Sequence, residues 1–180
     1  MCRDKLAFQA RCYNGGVKVY FAADHAGFEL KNMLMVYVRD DMKLDVEDCG
    51  AVINNPDDDY PAIIALAAKR LAEDVAQGFD SRAIILGGSG QGEAMVANRF
   101  KGVRCALYYG SMGEQIDAKG KKLDIIRSVR EHNNANALSL GARFIPEEQA
   151  KDAVKRFLEL PFMREDRHIR RIMQIDEVSK

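Results

Sequence analysis

The chain has 180 residues, enough for one domain around a single sizeable core. Hydrophobic residues make up 47% and charged residues 30%, as in an ordinary globular protein, and 27 Lys+Arg balance 27 Asp+Glu. That balance excludes a global field that would gather nucleic acid, and no apolar run is long enough to span a bilayer.

The N-terminal stretch "MCRDKLAFQARCYNGG" carries charges where a signal peptide needs an apolar segment, so residues 1–16 read as an extension and the expected location is the cytoplasm. Cys2 and Cys12 lie in that extension. Cys49 and Cys105 lie in or beside apolar runs and read as small buried hydrophobes. The four spacings match no zinc or CxxC pattern, and a core of this size needs no disulfide.

From residue 17 onward, strands and helices alternate. "VKVYFAA" (17–23) is rich in β-formers and ends at Asp24–His25; Gly27 then opens "FELKNMLMVYVRDD", apolar at helical spacing. "LDVEDCG" (44–50) alternates as a second strand. "NNPDDD" is turn chemistry before an amphipathic helix that Pro61 starts and Gly78 closes. "RAIILGG" (82–88) is a continuous apolar run, the mark of a central parallel strand buried on both faces. "EAMVANRF" reads as a short helix, "VRCALYYG" (103–110) as a strand, and 111–126 as a long polar excursion. "DIIRSVREHN" is helical and stops at "NNAN". "ALSLGARF" is the fifth strand, "EEQAKDAVKRFLEL" a helix opened by Pro146, and the C-terminal "REDRHIRRIMQIDEVSK" a charged amphipathic helix.

This alternation predicts an α/β fold: a Rossmann-like three-layer sandwich with a five-stranded parallel sheet and helices on both faces. The expected division is an extension (1–16), a Rossmann-like domain (17–162) and a C-terminal helix (163–180). Ligands in such sheets bind at the carboxyl ends of the strands. Three polar loops are expected there: Asp24–Gly27, the glycine turn at 87–92, and the segment around His132–Asn133.

The glycine turn, "LGGSGQGEAMVANR" (86–99), matches neither common nucleotide motif. In the dinucleotide fingerprint Gly88 and Gly90 fit, but the third glycine position is Glu93. In the P-loop Gly87 and Gly92 have the spacing, but Glu93–Ala94 replaces the lysine and hydroxyl. A bare turn at a helix start aims backbone N–H groups at one spot, and such a nest stabilises an oxyanion. Ser89 adds a hydroxyl, and Glu93 is placed to take a proton from a carbon beside that oxyanion. The plainer alternative is a tight turn followed by a helix N-terminal acid. His132, at a helix end, is a candidate proton shuttle. Arg143 after the fifth strand, and Arg167, Arg170 and Arg171 around His168, suit a small anionic ligand such as phosphate, or else form a solvated basic face.

Five segments together, "AADHAGFELK", "DDDYP", "GGSGQGEAMVANRFKGVR", "EHNNANALSLGAR" and "DRHIRRI", resemble the ribose-5-phosphate isomerase B family, which includes galactose-6-phosphate isomerase subunits. The resemblance implies aldose–ketose interconversion of a sugar phosphate through a cis-enediolate. It implies a homodimer or dimer of dimers with active sites at the subunit interface, and no metal or organic cofactor. Carried over by position, it implies catalytic roles for Asp24, Ser89, Glu93 and His132. Asp24 contacts the sugar's ring oxygen or hydroxyls, His25 holds the substrate near its phosphate, and Tyr60 lines the sugar pocket. Ser89 with the Gly88 and Gly90 amides forms the oxyanion nest, and His132, with Asn133 beside it, assists ring opening. Arg143, Arg167 and Arg171 bind phosphate, some across the interface. Many members carry a cysteine base where this chain has Gly87; another branch uses the glutamate of Ser-Gly-x-Gly-Glu, which is the pattern here. Partial burial raises the Glu93 pKa and the helix start lowers it, so the two effects oppose one another. Alternatives within this reading are a hexose-6-phosphate isomerase (allose or galactose 6-phosphate) and a non-catalytic sugar-phosphate-binding protein.

Overall fold

The apolar run Lys18–Ala23 forms β1, with Val19, Phe21 and Ala23 on one face of the sheet and Tyr20 and Ala22 on the other. Helix α1 (Phe28–Val36) follows and continues through a wider turn over Tyr37–Asp41. Then come β2 (Asp45–Asp48), α2 (Tyr60–Gln77), β3 (Arg82–Gly87), α3 (Gln91–Ala97) and β4 (Cys105–Tyr108). A small antiparallel hairpin, β5 (Gln115–Ile116) and β6 (Lys122–Leu123), lies within the excursion that was expected to be merely polar. Helix α4 (Ile125–Glu131), β7 (Ala137–Gly141), α5 (Glu147–Glu159) and α6 (Asp166–Glu177) complete the chain. This computed structural model describes residues 17–111, 113–116, 118, 120 and 122–178; the expected extension at 1–16 lies outside the described residues.

The five predicted strands form one parallel sheet in the order β2–β1–β3–β7–β4. All six residues of β3 are buried, as its uninterrupted apolar run requires between two helical layers. One layer places Leu34 and Val38 from the α1 segment, Ile126 of α4 and Val154 and Phe157 of α5 over Val19, Phe21, Ile84 and Leu138. The other packs Ile64, Ala67 and Leu71 of α2 and Ala97 of α3 over Tyr20, Ala22, Ala83 and Ile85. Each fully buried Leu or Ile contributes roughly 1.5–3 kcal/mol through the area it removes from water. No helix among the described residues is long and apolar enough to cross a membrane.

The chain runs from β1 outward to β2, then back past β1 to β3. The strand order therefore reverses between β1 and β3, and a crevice opens outside the carboxyl ends of those two strands. The loop beyond β2 closes its side: Ala23 N donates to Gly50 O and Ala51 N to Ala23 O, both at 2.8 Å. Lys31, fully buried on α1, braces that loop with hydrogen bonds to Asp48 (2.6 and 2.7 Å) and to the Ala51 carbonyl (2.7 Å).

Candidate active site

At the crevice, β1 ends on Asp24 and His25. Asp24 is buried, and its carboxylate accepts the Gly27 N–H at 3.1 Å, which closes the turn into α1. His25 is held twice by Asp58: its backbone N–H donates to one carboxylate oxygen (2.9 Å) and its Nδ1 lies 2.7 Å from the other. With Nδ1 engaged, Nε2 is the nitrogen left for a ligand. Asp58 was legible in "NNPDDD" only as turn chemistry; no local pattern reveals a partner 33 residues away. Asp24, His25 and Asp58 each bring a ligand-capable atom within 4.8 Å of one another. The His25–Asp58 hydrogen bond, however, occupies the ring nitrogen that a cation would share with that carboxylate.

Across the crevice, β3 runs into the glycine turn, and each glycine makes room for a neighbour. A Cβ on Gly87 would overlap the Glu93 carboxyl, which folds back over this position from the first turn of α3. A Cβ on Gly92 would overlap the ring of Tyr60, the first residue of α2. Gly90 adopts a left-handed conformation (φ 73°), and its Cα lies against β7, where a Cβ would come 3.0 Å from the Leu140 carbonyl. Gly88 faces the Arg143 guanidinium, 3.5 Å from where its Cβ would be. The turn is sewn to the next strand by Ala142 N donating to Gly87 O (2.9 Å) and Arg143 N to Gly88 O (3.1 Å).

Those carbonyls point towards β7, so the amides of the same peptides point away from it. Among the described residues, the N–H groups of Gly88, Ser89 and Gly90 donate to no other backbone group. Ser89 is half-buried, its Oγ 3.4 Å from Gln91 N. Beside these amides sits Glu93, 4% exposed. Burial pushes its carboxyl above the ordinary carboxylate range, and the charge of Asp24 adds to the rise; its own backbone amide pulls the other way but is the smaller effect than burial. Burial thus outweighs the backbone hydrogen bond at the start of α3. A carboxylate of raised basicity beside unspent amides, in a crevice reached by Asp24, His25, Tyr60 and Arg143, suits proton abstraction from a carbon next to a developing oxyanion.

His132 and Asn133 are not there. They were expected at the carboxyl ends of the strands, and the structure places them at the amino ends. Helix α4 leaves the carboxyl side after β4 and runs back, so the loop after it precedes β7. Its neighbours confirm the side: Asn136 O accepts Ala83 N at the start of β3, and Asn136 Nδ2 donates to Gly102 O before β4. Five steps along β3, at ~3.3 Å each, put roughly 16 Å between this loop and the glycine turn. The signal was in the chain order, since a loop after a crossover helix and before a parallel strand lies at the strand's amino end.

A second cluster forms at that end. Arg130, fully buried, donates to the Leu160 and Ala135 carbonyls and to Asn134 Oδ1, fixing the segment that carries His132. The His132 ring stacks on His168 of α6, with centroids 4.6 Å apart and planes 8° from parallel. His168 is buried, and burial together with His132 pushes its pKa below the ordinary histidine value. Arg167 and Arg171 flank it on the same helix and are exposed. Sequence reasoning treated His168 only as a landmark for these arginines; its stacking role has no local signature.

The sequence profile of the family described as Ribose/Galactose Isomerase matches residues 19–175. The chain belongs to the ribose/galactose isomerase family. Similar members include ribose-5-phosphate isomerase B of Mycolicibacterium paratuberculosis, 38% identical over 91% of this chain and 92% of that one. The probable ribose-5-phosphate isomerase B of Mycoplasma pneumoniae is 34% identical over 87% and 91%. Among solved structures, ribose-5-phosphate isomerase B of Mycoplasma genitalium with bound ribulose-5-phosphate superposes with a TM-score of 0.78 at 28% identity, covering 92% of this chain and 97% of that one. The Thermotoga maritima ribose 5-phosphate isomerase superposes at 0.71 with 37% identity, covering 89% and 98%.

Proposed function

We propose that the chain interconverts ribose 5-phosphate and ribulose 5-phosphate. Glu93 removes the proton from C2 of the open-chain aldose and delivers it to C1, passing through a cis-enediolate in which the C2 hydroxyl proton passes to O1. The Gly88 and Gly90 amides and the Ser89 hydroxyl hold the negative oxygen. Asp24 and Tyr60 bind the sugar, and His25, oriented by Asp58, lies towards its phosphate. The observation that carries this reading is the buried Glu93 carboxyl, raised in pKa, folded over Gly87 beside amides with no backbone acceptor among the described residues. The bound ribulose-5-phosphate of the Mycoplasma genitalium relative supports the choice of substrate.

Ring opening by His132, with Asn133 beside it, and phosphate binding by Arg167 and Arg171 require these groups at the same sugar. The sheet separates them from Glu93, so a second copy supplies them: its amino-end cluster, α6 included, caps the crevice of the first. Arg143 stays with its own glycine turn. A concavity of about 710 Å³ beside Asn133, with Arg99, Lys101 and Arg104 on its wall, leaves room for elements of that copy.

The test is ketose formation and solvent-deuterium uptake at C1 over a panel of ribose 5-phosphate, allose 6-phosphate and galactose 6-phosphate. Turnover strongest on ribose 5-phosphate is expected. Preference for a hexose phosphate overturns the substrate, and absence of both turnover and exchange overturns the enzymatic reading. Mixing inactive Glu93→Gln with inactive His132→Asn protein, with subunit exchange, then tests the shared site. In a random mixture of dimers about a quarter of wild-type activity returns, because each mixed dimer holds one intact site. No recovery places both residues in one chain's site.

A further inference from the structure

Strand β7 reads Ala-Leu-Ser-Leu-Gly, and its one polar side chain, Ser139, is completely buried at the centre of the sheet. A hydroxyl in that position is costly unless it is bonded. Its Oγ donates to the carbonyl of Gly90 at 2.7 Å, 49 residues earlier in the chain. The same oxygen accepts Ala94 N at 3.0 Å, the first hydrogen bond of α3. Both acceptor directions of the Gly90 carbonyl are therefore filled, one by the helix and one by the sheet.

This oxygen belongs to the Gly90–Gln91 peptide, which directly follows the Gly90 amide of the nest. In a trans peptide the C=O and N–H point in opposite directions. With the Gly90 oxygen fixed towards β7, the Gln91 N–H is turned away from the sheet, to the side of Ser89 Oγ at 3.4 Å. Two donors on one carbonyl also polarise its peptide and make that N–H a stronger donor. Gly90 is pressed onto β7 at the same point, 3.0 Å from the Leu140 carbonyl at its Cβ position. Glu93 follows three residues later, so the bond also ties the turn of α3 that carries the base to the central strand.

We propose that Ser139 is a positioning residue for catalysis: its hydroxyl locks the Gly90–Gln91 peptide and the start of α3 to β7, and so sets the oxyanion nest and Glu93 in register with each other. It touches neither sugar nor phosphate. This rests on the isomerase reading above. Loss of the bond lowers transition-state stabilisation and leaves ground-state binding of the sugar phosphate intact.

The experiment is steady-state isomerisation of ribose 5-phosphate by the wild-type protein and by Ser139→Ala and Ser139→Cys, with amide hydrogen exchange on all three. For Ser139→Ala, kcat falls about tenfold while KM stays within about twofold. Ser139→Cys, which keeps a weak donor, recovers part of the loss. Exchange quickens at Gln91 and at Ala94 in the first turn of α3 and is unchanged in β1. Wild-type kcat in Ser139→Ala overturns the proposal, as does a loss in kcat shared equally by the two variants and matched in KM. If the wild-type protein turns over no ribose 5-phosphate, the functional reading fails by itself; the exchange pattern then decides whether Ser139 holds the turn, and unchanged protection overturns that too.

Discussion

The two ends of the sheet carry chemistry of different kinds. At the carboxyl end, Asp24 and Glu93 are buried, His25 is pinned by Asp58, and the glycine turn is stitched to β7 through two backbone bonds and the Ser139 hydroxyl. At the amino end, His132, Asn133, Arg167 and Arg171 are exposed on helix termini and a surface helix, with His168, Arg130 and Asn136 buried beneath them. The first region is organised before any ligand arrives, as a base and an oxyanion nest must be if they are not to reorganise during the reaction. The second is a set of long, solvated side chains that gain strength only when something covers them. On the proposed reading, chemistry is built into the core of one chain, and the grip on the substrate is presented at its surface.

The sharpest way to break this contrast is Glu93→Gln. A positioned general base contributes about 10²–10⁴-fold, so kcat is expected to fall by that much with KM nearly unchanged in an isomerase assay. Undiminished turnover removes the carboxyl end from the chemistry. The same variant sharpens the cost of that pre-organisation. Glu93 has a folded pKa above its unfolded value, so its neutral form is favoured by folding. Relative stability is fully present below the unfolded carboxylate pKa and is lost as pH rises through the folded one. Glu93→Gln should therefore melt higher than the wild type at neutral pH, with the gap closing as the pH falls below the ordinary carboxylate range.

Smaller effects are expected at the amino end. Arg167→Ala and Arg171→Ala each remove charge-assisted bonds worth about 1.5–3 kcal/mol, so KM should rise roughly 10- to 100-fold, with kcat less affected and the penalty shrinking at high salt. A pure kcat effect would place these arginines with the base instead. The smallest expected effect is on stability. Lys31→Met leaves Asp48 without its buried partner, but Asp48 keeps 29% side-chain exposure and can turn to water. Unfolding should be easier by about 1–3 kcal/mol in denaturant titration, with the crevice rather than the amino end losing exchange protection first.

Much of this was legible in the residues. The apolar run of β3 foretold a central strand, the β-forming run at 17–23 another strand, and Pro61 and Gly78 the ends of α2. The bare turn before Glu93 raised the oxyanion nest without any fold in view. Other features were not legible because their causes are long-range. Asp58 meets His25, Ser139 meets Gly90 and His132 stacks on His168 across separations of 33, 49 and 36 residues, and no local spacing encodes such meetings. The β5–β6 hairpin was missed because its strands are two residues each, too short for a period to show. His132 was placed at the wrong end of the sheet because its polarity was weighed and its position after a crossover helix was not.

The sequence by itself determined the layered α/β architecture and a carboxylate one helical turn past a glycine bend, because hydrophobic period and glycine placement act over a few residues. Only the tertiary structure decided that this carboxylate is buried with its basicity raised, and that the histidine and arginines lie at the far end of the sheet. Burial and strand order depend on which segments pack together, and that is a property of the whole chain.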